Sequence, residues 1–213
     1  MPTPPSTRSV KIDHDERGGW SSDRPRRDGA PPRPADVAVR GRVLSPTDEV
    51  RYSPGSLLVI VSGSAEERDS FAQRVIEDRS SLMSLDKVRG LLAGRVAEDQ
   101  VEDRAAELLD AAVLKRLEAG ETVVVAAEGV ESAEREHYVR LAQPHRRPCH
   151  PILIEAARAR IPDEDAHATL NKLRRALDAG QLGAEGFNTS LRLGGTSIDE
   201  LKRIAFRPAP RDE

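Results

Sequence analysis

Five consecutive aliphatic residues, LLVIV at positions 57–61, constrain the fold of this chain more than any other stretch. A strand with one face in water alternates apolar and polar residues, whereas a strand buried on both faces is apolar throughout. A Ser/Gly turn follows the run, and then comes an amphipathic stretch with Phe71, Ala72, Val75 and Ile76 on one side. This order predicts a buried parallel strand, a short loop and a helix.

The same alternation of strand and helix signals continues along the chain. Further strands are predicted at 81–85, 122–126, 151–155 and 190–193. Helices are predicted at 66–78, 101–119, 132–142, 163–179 and 197–203. Strands separated by helices indicate right-handed crossovers, so the fold class is α/β with a central, mainly parallel sheet between two helical layers. In such sheets ligands bind beyond the carboxyl ends of the strands, which directs attention to 62–70, 86–90 and 126–131.

The composition excludes several classes of function. A net charge of -3 gives no overall attraction to nucleic acid or to anionic membranes, and aromatic residues make up only 3% of the chain. The single cysteine, Cys149, excludes an internal disulfide framework and is typical of a reducing compartment. No apolar stretch approaches the length that spans a bilayer, so a cytoplasmic location is expected.

Residues 1–54 differ from the rest of the chain, because they hold nine of the fifteen prolines and little apolar periodicity. Such a segment is expected to be a mostly disordered extension, with a short strand at 37–44. Trp20 and the basic, proline-rich "RPRRDGAPPRP" leave two interpretations open: a solvated tail, or a docking peptide for a protein partner within residues 1–50. The predicted domain covers 55–207, and 208–213 form a C-terminal tail.

Several segments in order carry a family resemblance. They are "GSLLVIVSG…SFAQRV", "SSLMSLDKVRGLLAG", "AAVLKRLEAGETVVVAAEGVESAERE" and "LRRALDAGQLGAEGFNTSLRL". Together they resemble the P-loop polynucleotide kinase family, especially the kinase domain of bacterial polynucleotide kinase-phosphatases. The resemblance implies a three-layer P-loop kinase-like fold and transfer of a nucleoside triphosphate's γ-phosphate to a nucleic acid 5′-hydroxyl.

The resemblance places a nucleotide-binding loop at 62–70, but the loop departs from the family pattern. A G-x-x-x-x-G-K-[ST] loop needs glycines for close phosphate approach, a lysine for charge and a hydroxyl for Mg²⁺. Here Ser62 and Glu67 stand at the glycine positions, Arg68 at the lysine and Asp69 at the hydroxyl. The candidate cofactor-binding residues of this degenerate loop are Ser62, Gly63, Arg68, Asp69 and Ser70.

The same residues also fit a structural motif. Ser64-Ala65-Glu66-Glu67 matches the capping box, in which Ser64 caps the helix and the Glu67 carboxylate reaches back to the Ser64 N–H. Glu66 and Glu67 would complement the positive end of the helix dipole, the role that phosphate has in a working loop. On this interpretation Arg68→Ala leaves stability nearly unchanged, and Glu67→Gly costs helix stability.

The acceptor side of the family pattern is intact. Asp86 and Arg89 match its Asp-x-x-Arg element. The resemblance implies that Asp86 is the general base for the attacking hydroxyl and that Arg89 helps to hold the acceptor end. The alternative is that Asp86 caps the following helix and Arg89 lies on its surface. The family's strand-end acid is an alanine here, Ala126, and its lid arginines have only Arg158 and Arg160 as counterparts.

No metal site is predicted. His137, His145, His150 and His167 lack paired spacing on one element, and "HRRPCH" favours a basic turn.

The function expected from the altered loop is a degenerate, non-catalytic kinase-like protein acting as a binding or regulatory module, without ATP or Mg²⁺. One alternative is an ATP-dependent polynucleotide or small-molecule kinase with an atypical loop that uses Mg-ATP and binds a nucleic acid 5′ end. Another alternative is a structural component of a larger assembly.

Overall fold

The computed structural model of the protein describes residues 42–45, 47–161 and 163–208. The predicted extension up to residue 41, including Trp20 and the Arg/Pro-rich segment, lies outside the described residues, as do residues 209–213 of the tail. Within the part described, no helix combines the length and the apolar character needed to cross a bilayer.

The described residues form eight strands and six α-helices. The strands are β1 (Arg42–Leu44), β2 (Glu49–Tyr52), β3 (Leu57–Ser62), β4 (Leu82–Ser84), β5 (Val123–Ala126), β6 (Cys149–Ile154), β7 (Thr189–Leu193) and β8 (Arg203–Phe206). The helices are α1 (Ala65–Val75), α2 (Leu85–Leu92), α3 (Glu98–Ala119), α4 (Ser132–Ala142), α5 (Glu164–Asp178) and α6 (Thr196–Glu200).

Six strands form one sheet in the order β1-β7-β6-β3-β5-β4, and every neighbouring pair is parallel. The apolar run at the start of β3 is the centre of this sheet, with β6 on one side and β5 on the other. The predicted α/β class with a central parallel sheet is confirmed.

The two faces of β3 explain why its sequence is apolar throughout. Leu57, Val59 and Val61 face one core, which helices α3, α4 and α5 cover. Leu58 and Ile60 face a second core, which α1 and the separate two-stranded sheet of β2 and β8 help to cover. Since both faces are buried, neither tolerates the polar residues that a half-exposed strand carries.

Two predictions near the ends of the domain differ from the structure. Strand β1 falls inside the short strand predicted at 37–44, whereas β2 is a further strand within the stretch before residue 55 that was assigned to the extension. The helix predicted at 197–203 ends at Glu200, and β8 follows it. The reason is tertiary: Leu201 is fully buried, and β8 pairs in parallel with β2, a partner about 150 residues earlier.

The parallel arrangement brings three loops to one edge of the sheet. The loops after β3, β4 and β5 all leave from carboxyl ends of neighbouring strands, because β5 lies between β3 and β4. The three stretches singled out from the sequence, 62–70, 86–90 and 126–131, therefore lie together.

Candidate functional site

Two serine side chains accept backbone N–H groups in the loop between β3 and α1. Ser64 is the N-cap of α1, and its Oγ accepts the Glu67 N–H at 3.4 Å. Ser62 Oγ accepts the Ser64 N–H at 3.2 Å. The first half of the predicted capping box is confirmed and the second half is wrong, because the Glu67 carboxylate pairs instead with Arg160, with Oε1 3.4 Å from Nε.

Gly63 is tightly covered by the segment that follows β6. A Cβ at this position would lie 3.1 Å from Ile161 Cγ1 and 3.5 Å from Leu170 Cδ2. The glycine is therefore needed for packing against the protein's own side chains. In a phosphate loop the same freedom from a side chain serves a ligand.

Arg68, at the position of the family's lysine, is turned inward. The residue is 1% exposed and is among the largest fully buried side chains. Its Nη1 donates to the carbonyl oxygen of Ala127, and its Nε donates to Asp69 Oδ1 at 2.7 Å. Its Nη2 lies 4.0 Å from Asp86 Oδ2. The guanidinium thus joins α1 to the end of β5.

This burial overturns one expectation from the sequence. A solvated arginine in an unused loop could be removed at little cost, but a buried and hydrogen-bonded one cannot. Truncating Arg68 would empty the space it fills and leave the Ala127 carbonyl without its donor. The two other candidate residues of the loop differ: Asp69 is engaged by Arg68, whereas Ser70 is exposed.

Asp86 and Arg89 lie one turn apart on α2, where Arg89 Nη1 donates to Asp86 Oδ1 at 2.9 Å. Asp86 does not cap this helix, since the N-cap is Ser84, whose Oγ accepts the Lys87 N–H at 3.3 Å. The Asp86 side chain is 58% exposed at the mouth of a cavity of about 250 Å³. The interpretation of Asp86 as a cap is therefore wrong. The Asp86 carboxylate lies at the sheet edge, bonded to Arg89.

Arg89 binds three carboxylates. Besides Asp86, it donates to Glu102 on α3, with Nε 2.8 Å from Oε2, and to Glu128 after β5, with Nη2 3.1 Å from Oε2. These hydrogen bonds, those to Glu102 first and those to Glu128 second, raise the pKa of Arg89. The bond from Arg89 in turn lowers the pKa of Glu102.

The site as a whole is acidic. Two arginines, Arg68 and Arg89, face four carboxylates, which belong to Asp69, Asp86, Glu102 and Glu128. Arg68 donates to Ala127 and Asp69, and Arg89 donates to Asp86, Glu102 and Glu128. Such a cluster repels an incoming phosphate more than it attracts one.

A further glutamate, Glu134, accepts hydrogen bonds from the backbone that follows β5. Val123–Ala126 is a fully buried strand, as the sequence indicated. The Glu134 carboxylate accepts the N–H groups of Glu128 and Gly129, each at 2.8 Å. A carboxylate therefore occupies the backbone donors that an anionic ligand could use at this loop.

Arg158 and Arg160, the counterparts of the family's lid arginines, bind carboxylates of the chain. Arg158 lies 3.2 Å from Glu164, and both side chains are largely exposed. Arg160 Nη1 lies 3.3 Å from Glu66 Oε2 and its Nε 3.4 Å from Glu67 Oε1. Arg160 thereby ties the segment after β6 to the first turn of α1.

The histidines and the cysteine do not converge. His137 is bonded to Asp110 at 2.9 Å, and His150 to Thr189 Oγ1 at 2.8 Å. Burial raises the pKa of Cys149 to about 12, which leaves it a thiol at neutral pH. Among the described residues no group of three His, Cys, Asp or Glu is placed to hold a metal ion.

The structure thus brings Arg68, Asp69, Asp86 and Arg89 together and leaves Ser70 facing a different pocket, of about 400 Å³. Sequence reasoning missed Glu102 and Glu134 and gave Glu128 no role. Glu134 lies in the first turn of α4, where an acid commonly serves helix-terminal or loop N–H groups, so a signal for it existed. Glu102 carried no local signal, because its partner lies on another helix.

Comparison with known proteins adds little. No family model matches the chain, and no curated protein matches it. A crystal structure described as that of a "putative kinase" from Chloroflexus aurantiacus is similar at a TM-score of 0.38 and 14% identity. The match covers 68% of this chain and 87% of that one. At that level of similarity the neighbour supports no functional conclusion, so the function has to be argued from the site itself.

Proposed function

We propose that this chain is a kinase-like α/β protein, related to the P-loop polynucleotide kinases, that does not catalyse phosphoryl transfer and works as a binding or regulatory module. The observation that carries the proposal is the burial of Arg68. Phosphoryl transfer by a P-loop needs a cation free to meet the phosphates. The cation at that position is enclosed and hydrogen-bonded to Ala127 and Asp69.

The charge of the loop supports the same proposal. Glu66 and Glu67 stand in the first turn of α1, where a polyphosphate would have to lie. Two unit charges about 4 Å apart repel by about 4 kcal/mol at an effective dielectric constant of about 20. Arg160 already neutralises part of the carboxylate charge, and it would have to give up both glutamates to bind a nucleotide.

The proposal also covers cofactors and partners. We expect no resident ATP or Mg²⁺, and a protein partner in preference to a nucleic acid 5′ end. The acceptor-side Arg89 would need to release carboxylates before it could hold a terminal phosphate. A contribution of residues 1–50 to partner binding stays a prediction.

One observation favours the alternative of an ATP-dependent polynucleotide or small-molecule kinase. Arg68 Nη2 lies 4.0 Å from Asp86 Oδ2, so the donor-side cation and the acceptor-side carboxylate of the family pattern do converge. If the guanidinium rotated toward a nucleotide, Asp86 would be placed to take the proton of an attacking hydroxyl.

Calorimetric titration with Mg-ATP, paired with label transfer to a 5′-hydroxyl oligonucleotide, separates the two functions. We expect neither heat nor label from the natural chain, while an active polynucleotide kinase serves as the positive control. A matched variant with Ser62→Gly, Glu67→Gly, Arg68→Lys and Asp69→Ser restores the family loop and should gain Mg-ATP affinity. Label transfer by the natural chain that Asp86→Asn abolishes would reject our proposal and establish the kinase.

A further inference from the structure

The loops after β3 and β6 meet where the direction of the chain connections reverses. After β3 the chain proceeds toward β5 and β4, whereas after β6 it proceeds toward β7, and β3 and β6 are neighbours. Ligands of open parallel sheets bind in the crevice at such a point. Here that crevice is the pocket of about 400 Å³ that Ser70 faces, because residues following both strands line it.

Residues 157–161, here called the strap, reach from the end of β6 to the loop after β3. Ala157 and Arg160 of the strap line the pocket together with residues in the first turn of α1. The strap is thus part of the pocket wall, and lifting it would widen the pocket.

The backbone of the strap is attached only to itself. The Arg160 N–H donates to the Ala157 carbonyl at 2.8 Å, and the Ile161 N–H donates to the Arg158 carbonyl at 3.2 Å. Among the described residues, no backbone hydrogen bond joins the strap to another strand or helix. A segment without such bonds opens at a lower free energy than the sheet does.

Two side chains hold the strap in place. Ile161 is buried, and a Cβ at Gly63 in the loop after β3 would lie only 3.1 Å from its Cγ1. Arg160 pairs with two glutamates of α1, with Nη1 3.3 Å from Glu66 Oε2 and Nε 3.4 Å from Glu67 Oε1. The Arg160 side chain is 50% exposed, so water and salt compete with these ion pairs.

We propose that the strap regulates access to the pocket: the ion pairs of Arg160 with Glu66 and Glu67 hold it closed, and their release opens the pocket. The inference rests on the proposed binding function and adds a means of regulating it. A ligand that needs the open pocket binds only the fraction of molecules in which the strap has lifted. The loop after β3 keeps its structure in both states, since Ser64 and Arg68 hold it from within.

Hydrogen exchange of the whole chain, followed by NMR at single amides, tests the role of the ion pairs. Glu66→Gln combined with Glu67→Gln removes both pairs and keeps the size of the side chains. At about 0.05 M salt, the Arg160 and Ile161 amides of this variant should exchange about fivefold faster than in the natural chain. The Val59 amide, in the centre of β3, should keep its rate because local opening leaves the sheet intact.

Salt and a matched variant separate the ion pairs from a general loss of stability. In the natural chain, about 0.5 M salt should speed exchange of the two strap amides about twofold, because it screens exposed charges, and the double variant should not respond. Glu164→Gln combined with Asp165→Asn is the matched control. It also removes two carboxylates from the first turn of a helix, but neither pairs with Arg160. Its strap amides should exchange within twofold of the natural rate.

Ile161→Ala examines the second attachment of the strap. It removes the apolar contact and leaves the ion pairs, so its Arg160 amide should exchange faster than in the natural chain and should still respond to salt. Loss of that salt response would reject the proposal.

The proposal is also rejected if the strap amides of the double variant exchange within twofold of the natural rate, if its Val59 amide speeds up by the same factor, or if the control variant matches it. Failure here is distinguishable from failure of the proposed function, because Mg-ATP binding and label transfer are measured separately.

Discussion

Arg68 and Arg89 are two arginines at one edge of the sheet, and both are bound by carboxylates. Arg68 is enclosed, with 1% of the residue exposed, whereas 29% of the Arg89 side chain is exposed. Their partners differ as well, because Arg68 also serves a backbone carbonyl and Arg89 serves only carboxylates among the described contacts. Ion pairing alone therefore does not distinguish them, and burial does.

The difference teaches which parts of the candidate site can still change partners. An exposed ion pair is worth little, because water and salt compete with it at small cost. A buried guanidinium has no such substitute, so its loss leaves unpaired polar groups and a cavity. We therefore expect the loop after β3 to be structural and the α2 side to be the part that responds to ligands and partners.

Replacing the two arginines in turn is the strongest test of this contrast. Arg68→Ala should lower the free energy of unfolding by about 3 kcal/mol, because it leaves a cavity and an unpaired carbonyl. Arg89→Ala should cost less than about 1 kcal/mol, and the cost should shrink as salt is raised. Urea denaturation of both variants at low and high salt provides the measurement.

Arg68→Met is the control for this comparison, because it retains most of the volume and removes the charge. A loss smaller than that of Arg68→Ala would show that filling the space matters beside the hydrogen bonds. Equal losses for Arg68→Ala and Arg89→Ala would break the comparison.

His150 is a buried group that titrates, so it tests the effect of burial on stability in a second way. Burial lowers its pKa to about 4, from about 6.5 in an unfolded chain. The ring lies 4.5 Å from that of Tyr52, and its Nε2 has no hydrogen-bond partner among the described residues. A neutral His150 therefore stabilises the fold above about pH 6.5, and this contribution is lost as the pH falls toward 4.

The full loss should be about 3 kcal/mol, since each unit of pKa difference is worth about 1.4 kcal/mol. Urea denaturation of the natural chain and of His150→Phe between about pH 7 and pH 4 isolates this share from that of the carboxylates. The variant should lose less stability over this range. Parallel curves for the two proteins would contradict the prediction.

The cap of α1 gives a smaller expected effect than the two buried groups, Arg68 and His150. Ser64→Ala should cost about 1 kcal/mol, because the Glu67 N–H loses its acceptor. Ser70→Ala, on the same helix but exposed, should change the thermal midpoint very little. If the two serines had equal effects, the loop after β3 would not be held by its cap, and the structural role assigned to it would have to be withdrawn.

Much of the fold was predictable because its signals are local. The helix at 132–142 has the predicted bounds, and the strands at 122–126 and 190–193 lie within a residue of the observed ones. Strands β2 and β8 escaped prediction, since each is four residues long and gains its stability from a partner far along the chain. Short strands of that kind carry almost no sequence signature of their own.

The candidate site divides in the same way. The proximity of Asp86 to Arg89 follows from helical spacing, and the Ser64 cap follows from residue type and position. The glutamates that bind Arg89 lie 13 and 39 residues away from it, beyond the reach of any local pattern.

The sequence by itself determined that β3 is buried on both faces, that strands and helices alternate, and that the loop after β3 departs from the G-x-x-x-x-G-K-[ST] pattern. These conclusions depend on hydrophobic periodicity and on residue chemistry, which act within a few positions of the chain. Only the tertiary structure decided that Arg68 is a buried tie to Ala127, 59 residues away. The burial of a charge depends on which distant oxygens the fold brings to it, and those contacts exist only after the sheet has formed.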